Sequence, residues 1–354
     1  MNDLCCCLKI QDPEKGTLYV SVDSFYPLNT SDLLKKDTKN FDVKIRVKKS
    51  ILNGIESTDK NGTRSLPITF NSNLKVFSLV NDGWLPPPFS VPSVFLLDRN
   101  IVSAFEKNQS RITHYEENCW WFDLYNGSGK SCLEVNVIFA AIEGDLKKLP
   151  EFDIFLANIE KYNKVVNRQF VSVKNSHLNL SQLKTVYDVI VNKNYTKNIA
   201  FLQATTPLIL KSVPYKNKRK IFNDILVIAK EHGINVHSHL LILVIACLYE
   251  SPSSNYKFAR KILKPKATYT KEIAHNCVFD VLFIDLLLIL KFFINPNYSG
   301  VSADIALSVY WTIVKPKINF ENTEFNFNLQ LSKTLFEGAI ESDLDYIVTE
   351  LSKL

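Results

Sequence analysis

Four acidic side chains stand in settings where an isolated carboxylate is destabilising. Asp98 follows the apolar run Val94-Phe95-Leu96-Leu97, and Glu143 borders the apolar stripe Val135, Ile138, Ile142 and Leu146. Asp280 interrupts the apolar segment from Cys277 to Ile294, and Asp304 follows Tyr298-Ser299-Gly300-Val301-Ser302-Ala303. A carboxylate in apolar surroundings needs a partner or a metal ion. Several drawn to one point repel one another without a cation. Mg2+ or Mn2+ suits such a set, because both are hard ions that take oxygen ligands. A two-metal cluster of this kind activates a water and stabilises the leaving oxygen in phosphodiester hydrolysis.

Each acid also has a plainer reading. Asp98 and Asp304 precede helix starts, where Asp commonly caps the first turn, and Glu143 reads equally well as a surface acid. Asp280 is the most informative, since an acid in so apolar a helix requires a partner. Asn276 lies one turn before it on the same face, placed to orient a ligand or a metal-bound water, or to bond backbone. Asp285 lies five residues on, about 140° round the helix, and so faces elsewhere. It is expected to pair with a Lys or Arg and takes second place as a ligand.

Positioning these acids requires particular elements. Val94 to Leu97 reads as a strand buried on both faces, as inside a parallel sheet. A helix start follows at Ile101, and an acid at such a junction sits where open α/β sheets place their active sites. Leu133 to Leu146 reads as one amphipathic helix. Further helices are expected over Leu178 to Val191, capped by Asn179 or Ser181, over Ile221 to Ala229, and over His239 to Tyr249, which is almost wholly apolar. Lys271 to Phe293 reads as a long helix stopped by Asn295-Pro296-Asn297. A brief strand runs to Asp304, and a short helix covers Ile305 to Ile313. The tail holds a Phe/Asn alternation at Phe320, Phe325 and Phe327, then an amphipathic helix from about Ser332 to Leu351.

In this order the motifs resemble those of PIN-like nucleases. That family carries an Asp after its first strand, a Glu on a following helix, an Asp on a later helix, and an Asp after a strand with Thr or Ser two residues earlier. Val94-Phe95-Leu96-Leu97-Asp98 is similar to the first motif, Ala140-Ala141-Ile142-Glu143-Gly144 to the second, His275-Asn276-Cys277-Val278-Phe279-Asp280 to the third, and Val301-Ser302-Ala303-Asp304 to the fourth. Ser302 takes the hydroxyl position. The resemblance covers roughly residues 91 to 314. It implies a parallel sheet with helices on both sides, and metal-dependent cleavage of RNA (tRNA or mRNA), often in toxins or host-defence effectors that meet an inhibitor or partner protein. The other reading keeps this fold as an inactive RNA-binding or protein-interaction module.

The expected fold class is therefore α/β, a PIN-like parallel sheet flanked by helices, with a β-rich region before it. Residues 1–88 form that region, 89–314 the PIN-like domain with a helical insertion at about 150–270, and 315–354 the tail. The β-rich assignment rests on strict alternation in Leu18 to Val22, Phe41 to Val47 and Leu74 to Leu79. Turns are expected at Asn53-Gly54 and Asp59-Lys60-Asn61-Gly62, and Trp84 to Phe89 breaks regular structure.

Two basic clusters punctuate the helical part: Lys211, Lys216, Lys218, Arg219 and Lys220, and Lys257, Arg260, Lys261, Lys264 and Lys266, with Tyr215, Tyr256 and Tyr269 among or beside them. Beside an acidic metal site, Lys216, Lys218, Arg219, Lys220, Arg260 and Lys261 would hold phosphates; otherwise they are solvated faces. His237 and His239 have the look of a metal pair but read as structural. Ser128-Gly129-Lys130-Ser131 lacks the upstream Gly of a phosphate loop and reads as a turn.

Composition sets the outer bounds. With 46% hydrophobic and 22% charged residues the chain is an ordinary globular protein, and its net charge of +6 permits nucleic-acid contact without requiring it. Seven cysteines, three of them consecutive at Cys5, Cys6 and Cys7, show no C-x-x-C spacing. With Cys119, Cys132, Cys247 and Cys277 they read as reduced thiols of a cytoplasmic protein. The apolar segment around Asp280 has the length of a short membrane span, but Asp280, Asp285 and Lys291 would each cost roughly 3 kcal/mol near its centre. A buried core helix, and no membrane, is the expectation.

Overall fold

The structure, a computed structural model, describes residues 6–12, 16–35, 40–52, 55–57, 63–69, 74–90, 93–108, 133–170, 173–188, 193–254, 256–321, 324–328 and 330–352. The expected turns at 53–54 and 59–62, the Trp120-Trp121 stretch, the 128–131 segment, and Cys5, Cys119 and Cys132 lie outside them.

Alternation in the N-terminal region does produce antiparallel strands. β1 (Cys6–Asp12), β2 (Gly16–Phe25), β3 (Asn40–Leu52) and β4 (Ile55–Ser57) are ordered consecutively, and β5 (Thr63–Thr69) pairs with the first half of β3. Phe41, Val43, Ile45 and Val47 are buried while Asp42, Lys44 and Arg46 between them are exposed, as a period of two requires. The next two strands, β6 (Phe77–Val80) and β7 (Gly83–Leu85), leave this sheet for the central one. Two expectations change here. The strand foreseen from Leu74 begins only at Phe77, and Trp84-Leu85 belongs to a buried strand, followed after Pro86 by a 3-10 turn over Pro87–Phe89.

The central sheet is mixed and six-stranded, in the order β10-β9-β8-β11-β6-β7, and helices flank it. β8 (Val94–Leu97), β9 (Leu133–Asn136), β10 (Val173–Asn175) and β11 (Tyr298–Ser302) are parallel, whereas β6 runs antiparallel to β11 and β7 to β6. The fold is thus α/β, but the sheet is not wholly parallel. Every residue of β8 and β11 is buried, which explains the unbroken apolar run of β8, while β11 buries Ser299 and Ser302 beside Tyr298 and Val301.

The helix expected over Leu133 to Leu146 divides in two. Leu133–Asn136 is strand β9, and the helix proper is Ile138–Glu143. Asn136 Oδ1 accepts from the Ile138 N–H at 2.9 Å and starts the helix. Gly144, at φ 62°, ends it directly after Glu143, a conformation glycine takes readily. Leu146, expected on the apolar stripe, is 67% exposed. The helix Phe152–Gln169 then leads to β10, so this stretch belongs to the central α/β layer, ahead of the helices from Leu180 onward. Asn179 caps Leu180–Thr185 through a capping box with Gln182.

The helix Lys271–Phe293 matches its expected span. It is long and apolar enough to cross a membrane, and 72% of its most apolar 18-residue window is buried within the protein. It lies so close to β11 that a Cβ on Gly300 would stand 2.8 Å from Leu287 Cδ2 and 2.9 Å from Phe283 Cζ. The helix Ile305–Val314 crosses to the β6–β7 hairpin, where Trp311 Nε1 donates to the carbonyls of Val80 (2.7 Å) and Gly83 (3.0 Å). In the tail, β12 (Lys317–Glu321) and β13 (Glu324–Asn328) form a hairpin. The last helix starts at Glu341 rather than near Ser332. Gly338 passes against the Tyr249 carbonyl, to which its N–H donates at 2.7 Å, and a Cβ there would meet that oxygen at 2.5 Å.

Candidate active site

β8 and β11 are adjacent parallel strands, and the parallel strand order β10-β9-β8-β11 reverses between them, the position at which open α/β sheets form a crevice at the C-terminal strand ends. Asp98 stands at the end of β8. Its N–H extends the ladder to the Val301 carbonyl at 3.0 Å, and its own carbonyl starts the helix Arg99–Asn108. Its Oδ2 accepts from Ser302 Oγ at 2.5 Å and Asn100 Nδ2 at 2.7 Å. Ser302 Oγ in turn accepts from the Asp304 N–H at 3.0 Å, so one buried hydroxyl joins the two strand ends. Asp304 caps the following helix, its Oδ1 accepting from the Leu307 N–H at 2.9 Å. The capping role foreseen for Asp304 is therefore present.

Glu143 and Asp280 reach the same place by helix packing. Phe139 contacts Phe283 at 4.9 Å between ring centroids and Phe279 at 6.2 Å, docking the Ile138–Glu143 helix on the long one. Glu143 follows Phe139 by one turn, and Asp280 lies between the two phenylalanines it meets. Asn276, half-buried, is one turn before Asp280. Asp280 Oδ2 is buried and receives no hydrogen bond. The nearest cation is Lys264, whose Nζ is 4.0 Å away.

The four acids share one electrostatic field. Burial raises the Asp98 carboxyl to about 6 and the charge of Asp304 adds to this, against the hydrogen bonds from Ser302 and Asn100. Burial and then the charge of Asp98 push Glu143 to about 8, opposed by Arg99 and Lys264. Asp280 is raised well above the carboxylate range by burial, and the charges of Asp304, Asp98 and Glu143 all add to the rise. Among the described residues, no three His, Cys, Asp or Glu side chains are gathered as a group able to hold a metal ion. Asp98 leans on Ser302 and Asn100, and Asp304 on its cap.

A basic network braces one side of the crevice. Arg99 bonds Glu106 at 2.8 Å and Ser103 at 2.6 Å, pairs with Asp145, and lies 4.7 Å over the Tyr162 ring. Although burial acts in the opposite sense, bonds from Arg99 and Lys161 hold Asp145 at about 2. Arg99 carried no sequence signal beyond its place after Asp98, since its partners lie on other elements.

The remaining candidates fall elsewhere. Asp285 faces His239, with Oδ1 3.8 Å from Nε2, and not a Lys or Arg. His239 is buried, and its Nδ1 lies 2.9 Å from Tyr310 Oη; burial lowers it to about 3 and raises Asp285 to about 8. His237 is exposed, so the two histidines form no pair. Lys216 and Lys220 are exposed on the helix Tyr215–Glu231. Lys218 is buried, its Nζ 5.2 Å from the Tyr249 ring centroid, and Arg219 Nε bonds Asp343 of the C-terminal helix at 2.9 Å. Arg260 donates to the Leu210 carbonyl at 3.0 Å and lies 3.6 Å from Glu250. Lys261 sits 3.5 Å from the Tyr256 ring centroid, and Tyr256 feels the charge of Asp304. The second basic cluster is thus the one that borders the acids.

Compared with family models, curated proteins and solved structures, the chain gives no match in any of the three. Its function is read from the site.

Proposed function

We propose that the chain is a metal-dependent nuclease of PIN-like kind that cleaves RNA phosphodiesters at the centre formed by Asp98, Glu143, Asp280 and Asp304. The observation that carries this reading is Asp280: its buried Oδ2 has no hydrogen-bond donor, and its carboxyl feels the charge of the other three acids. The parallel strands, the acids at their ends, and the order of the four acids along the chain support it further. The donor set is all oxygen and carries excess negative charge, which fits a hard divalent ion. Asp98, Glu143, Asp280 and Asp304 would hold Mg2+ or Mn2+, which when bound activates a water and stabilises the leaving oxygen. Ser302 fixes the Asp98 carboxyl, Asn276 stands one turn from Asp280 to orient a ligand, and the lysines of the 257–266 segment provide the phosphate-facing rim. A tRNA or mRNA substrate, a toxin or defence role with an inhibitor protein, and a reducing cytoplasmic setting complete this reading.

The test is cleavage of end-labelled tRNA and of an mRNA-derived oligonucleotide by the full chain. EDTA-sensitive products bearing 5′-phosphates are expected with Mn2+, since a water rather than the 2′-hydroxyl attacks. No metal-dependent product would contradict the proposal. One observation favours a second reading, an inactive RNA-binding or protein-interaction module: among the described residues, no three acids are gathered as a metal-holding group. That reading predicts RNA retained without product.

A further inference from the structure

Lys264 is held in a conformation that lysine seldom adopts. At φ 49° and ψ 52° it is left-handed, just past the helix Phe258–Leu263. Two buried donors fix that helix end, the Cys277 thiol shared between two carbonyls. Cys277 Sγ donates to the carbonyls of Ile262 (2.9 Å) and Leu263 (3.2 Å), and Tyr269 Oη donates to Leu263 at 2.5 Å. Cys277 lies one turn before Asp280, so the helix that carries the acid also fixes the backbone that presents the lysine. The side chain projects over the acids and stays about half exposed (49%), with Nζ 4.0 Å from Asp280 Oδ2. That separation is beyond hydrogen-bonding range, so the ammonium borders the crevice without closing it. Its charge also reaches Glu143.

We propose that Lys264 binds a non-bridging oxygen of the scissile phosphate and stabilises the charge that grows there during hydrolysis. This rests on the nuclease reading above. In that reaction the water oxygen forms the new bond to phosphorus and the bond to the ribose 3′ oxygen breaks. The water's proton goes to a carboxylate of the site, and the leaving oxygen takes one from solvent. Lys264 acts by charge. A fixed donor aimed at developing negative charge is among the largest single contributions an enzyme site makes. The left-handed backbone, held at the helix end, sets where the side chain starts and removes the backbone freedom that a lysine on a free loop would have to lose.

The test uses full-length wild type, Lys264→Gly and Lys264→Arg. Glycine suits a left-handed φ, so removing the ammonium in this way preserves the backbone. Cleavage of one RNA oligonucleotide with Mn2+ is measured beside saturable Mn2+ binding by electron paramagnetic resonance without RNA. With Lys264→Gly, kcat is expected to fall about 100-fold while Mn2+ binds at least as tightly as in wild type, and Lys264→Arg recovers part of the rate. A wild-type rate in Lys264→Gly overturns the proposal and leaves the nuclease reading standing. Loss of Mn2+ binding together with activity also overturns it, since the lysine would then be supporting the acids. A wild-type protein that makes no Mn2+-dependent product overturns the nuclease reading, and this assignment with it.

Discussion

Asp98→Asn is expected to lower metal-dependent RNA cleavage by about 10³-fold or more, because a metal ligand supplies several kcal/mol of transition-state stabilisation and each 1.36 kcal/mol is tenfold in rate. It is expected to do so without lowering Tm. Asparagine has nearly the shape of aspartate and keeps an oxygen to accept the bonds from Ser302 Oγ and Asn100 Nδ2. It also removes a carboxylate whose burial is unfavourable, the cause that raises the Asp98 carboxyl to about 6. At pH 8 the variant should therefore melt at or above the wild-type temperature. Initial rates and a melting curve on the same preparation check both halves. Wild-type activity would remove Asp98 from the chemistry, and a collapse in Tm would make it a structural residue.

The second expected result joins pH, metal and stability. An unfolded chain ionises Asp and Glu near pH 4, whereas the folded protein keeps protons on Asp98 to about 6 and on Glu143 to about 8. Between those limits the folded state binds more protons. Its stability from these groups is fully present below about pH 4 and is lost as pH rises through 6 and then 8. His239 works in the opposite direction: its folded value of about 3 removes stability only as pH falls below 6.5. A comparison from pH 6.5 to 8.5 leaves His239 out, and Lys291, which burial lowers to about 8, opposes the acids only near the top of that range. Without metal, Tm is expected to fall across this range by a few degrees, equivalent to about 1–2 kcal/mol. Mn2+ should recover most of the part due to the active-site acids, and more at pH 8.5 than at pH 6.5. Asp285, raised to about 8 beside His239, adds a slope that Mn2+ does not recover. Glu143→Gln should flatten the metal-sensitive part alone. A Tm that rises with pH in the metal-free protein, or a Mn2+ effect independent of pH, would contradict this.

The parts legible in sequence were those where one physical rule dominated. The apolar run of β8 could only be a buried strand, and the acid directly after it, like Asp304 two residues past β11, is visible from the residues alone. Asp280 was legible because nothing else in that helix face tolerates a charge. Glu143 stands beside a stripe, Val135, Ile138 and Ile142, that spans a strand and a helix, and three residues at apolar spacing do not distinguish the two. β10, three residues with Lys174 at its centre, carries no periodic signal. The basic residues show the opposite limit. Whether a lysine meets solvent, a tyrosine face or an acid depends on partners far along the chain. Arg219 bonds Asp343, and Lys218 lies under Tyr249. Lys264 counted only as one member of a cluster until Cys277 and Tyr269 were seen to fix its backbone.

The claim that the four acids form a divalent-metal centre is tested most directly by titrating Mn2+ into the full chain at pH 7.5 and following the free ion by electron paramagnetic resonance. Saturable binding is predicted in wild type, with release of protons from the raised carboxyls. That binding should be strongly weakened by Asp280→Asn and unchanged by Asp285→Asn, which faces His239 on another side of the same helix. No saturable binding, or binding that survives Asp280→Asn undiminished, would contradict the account.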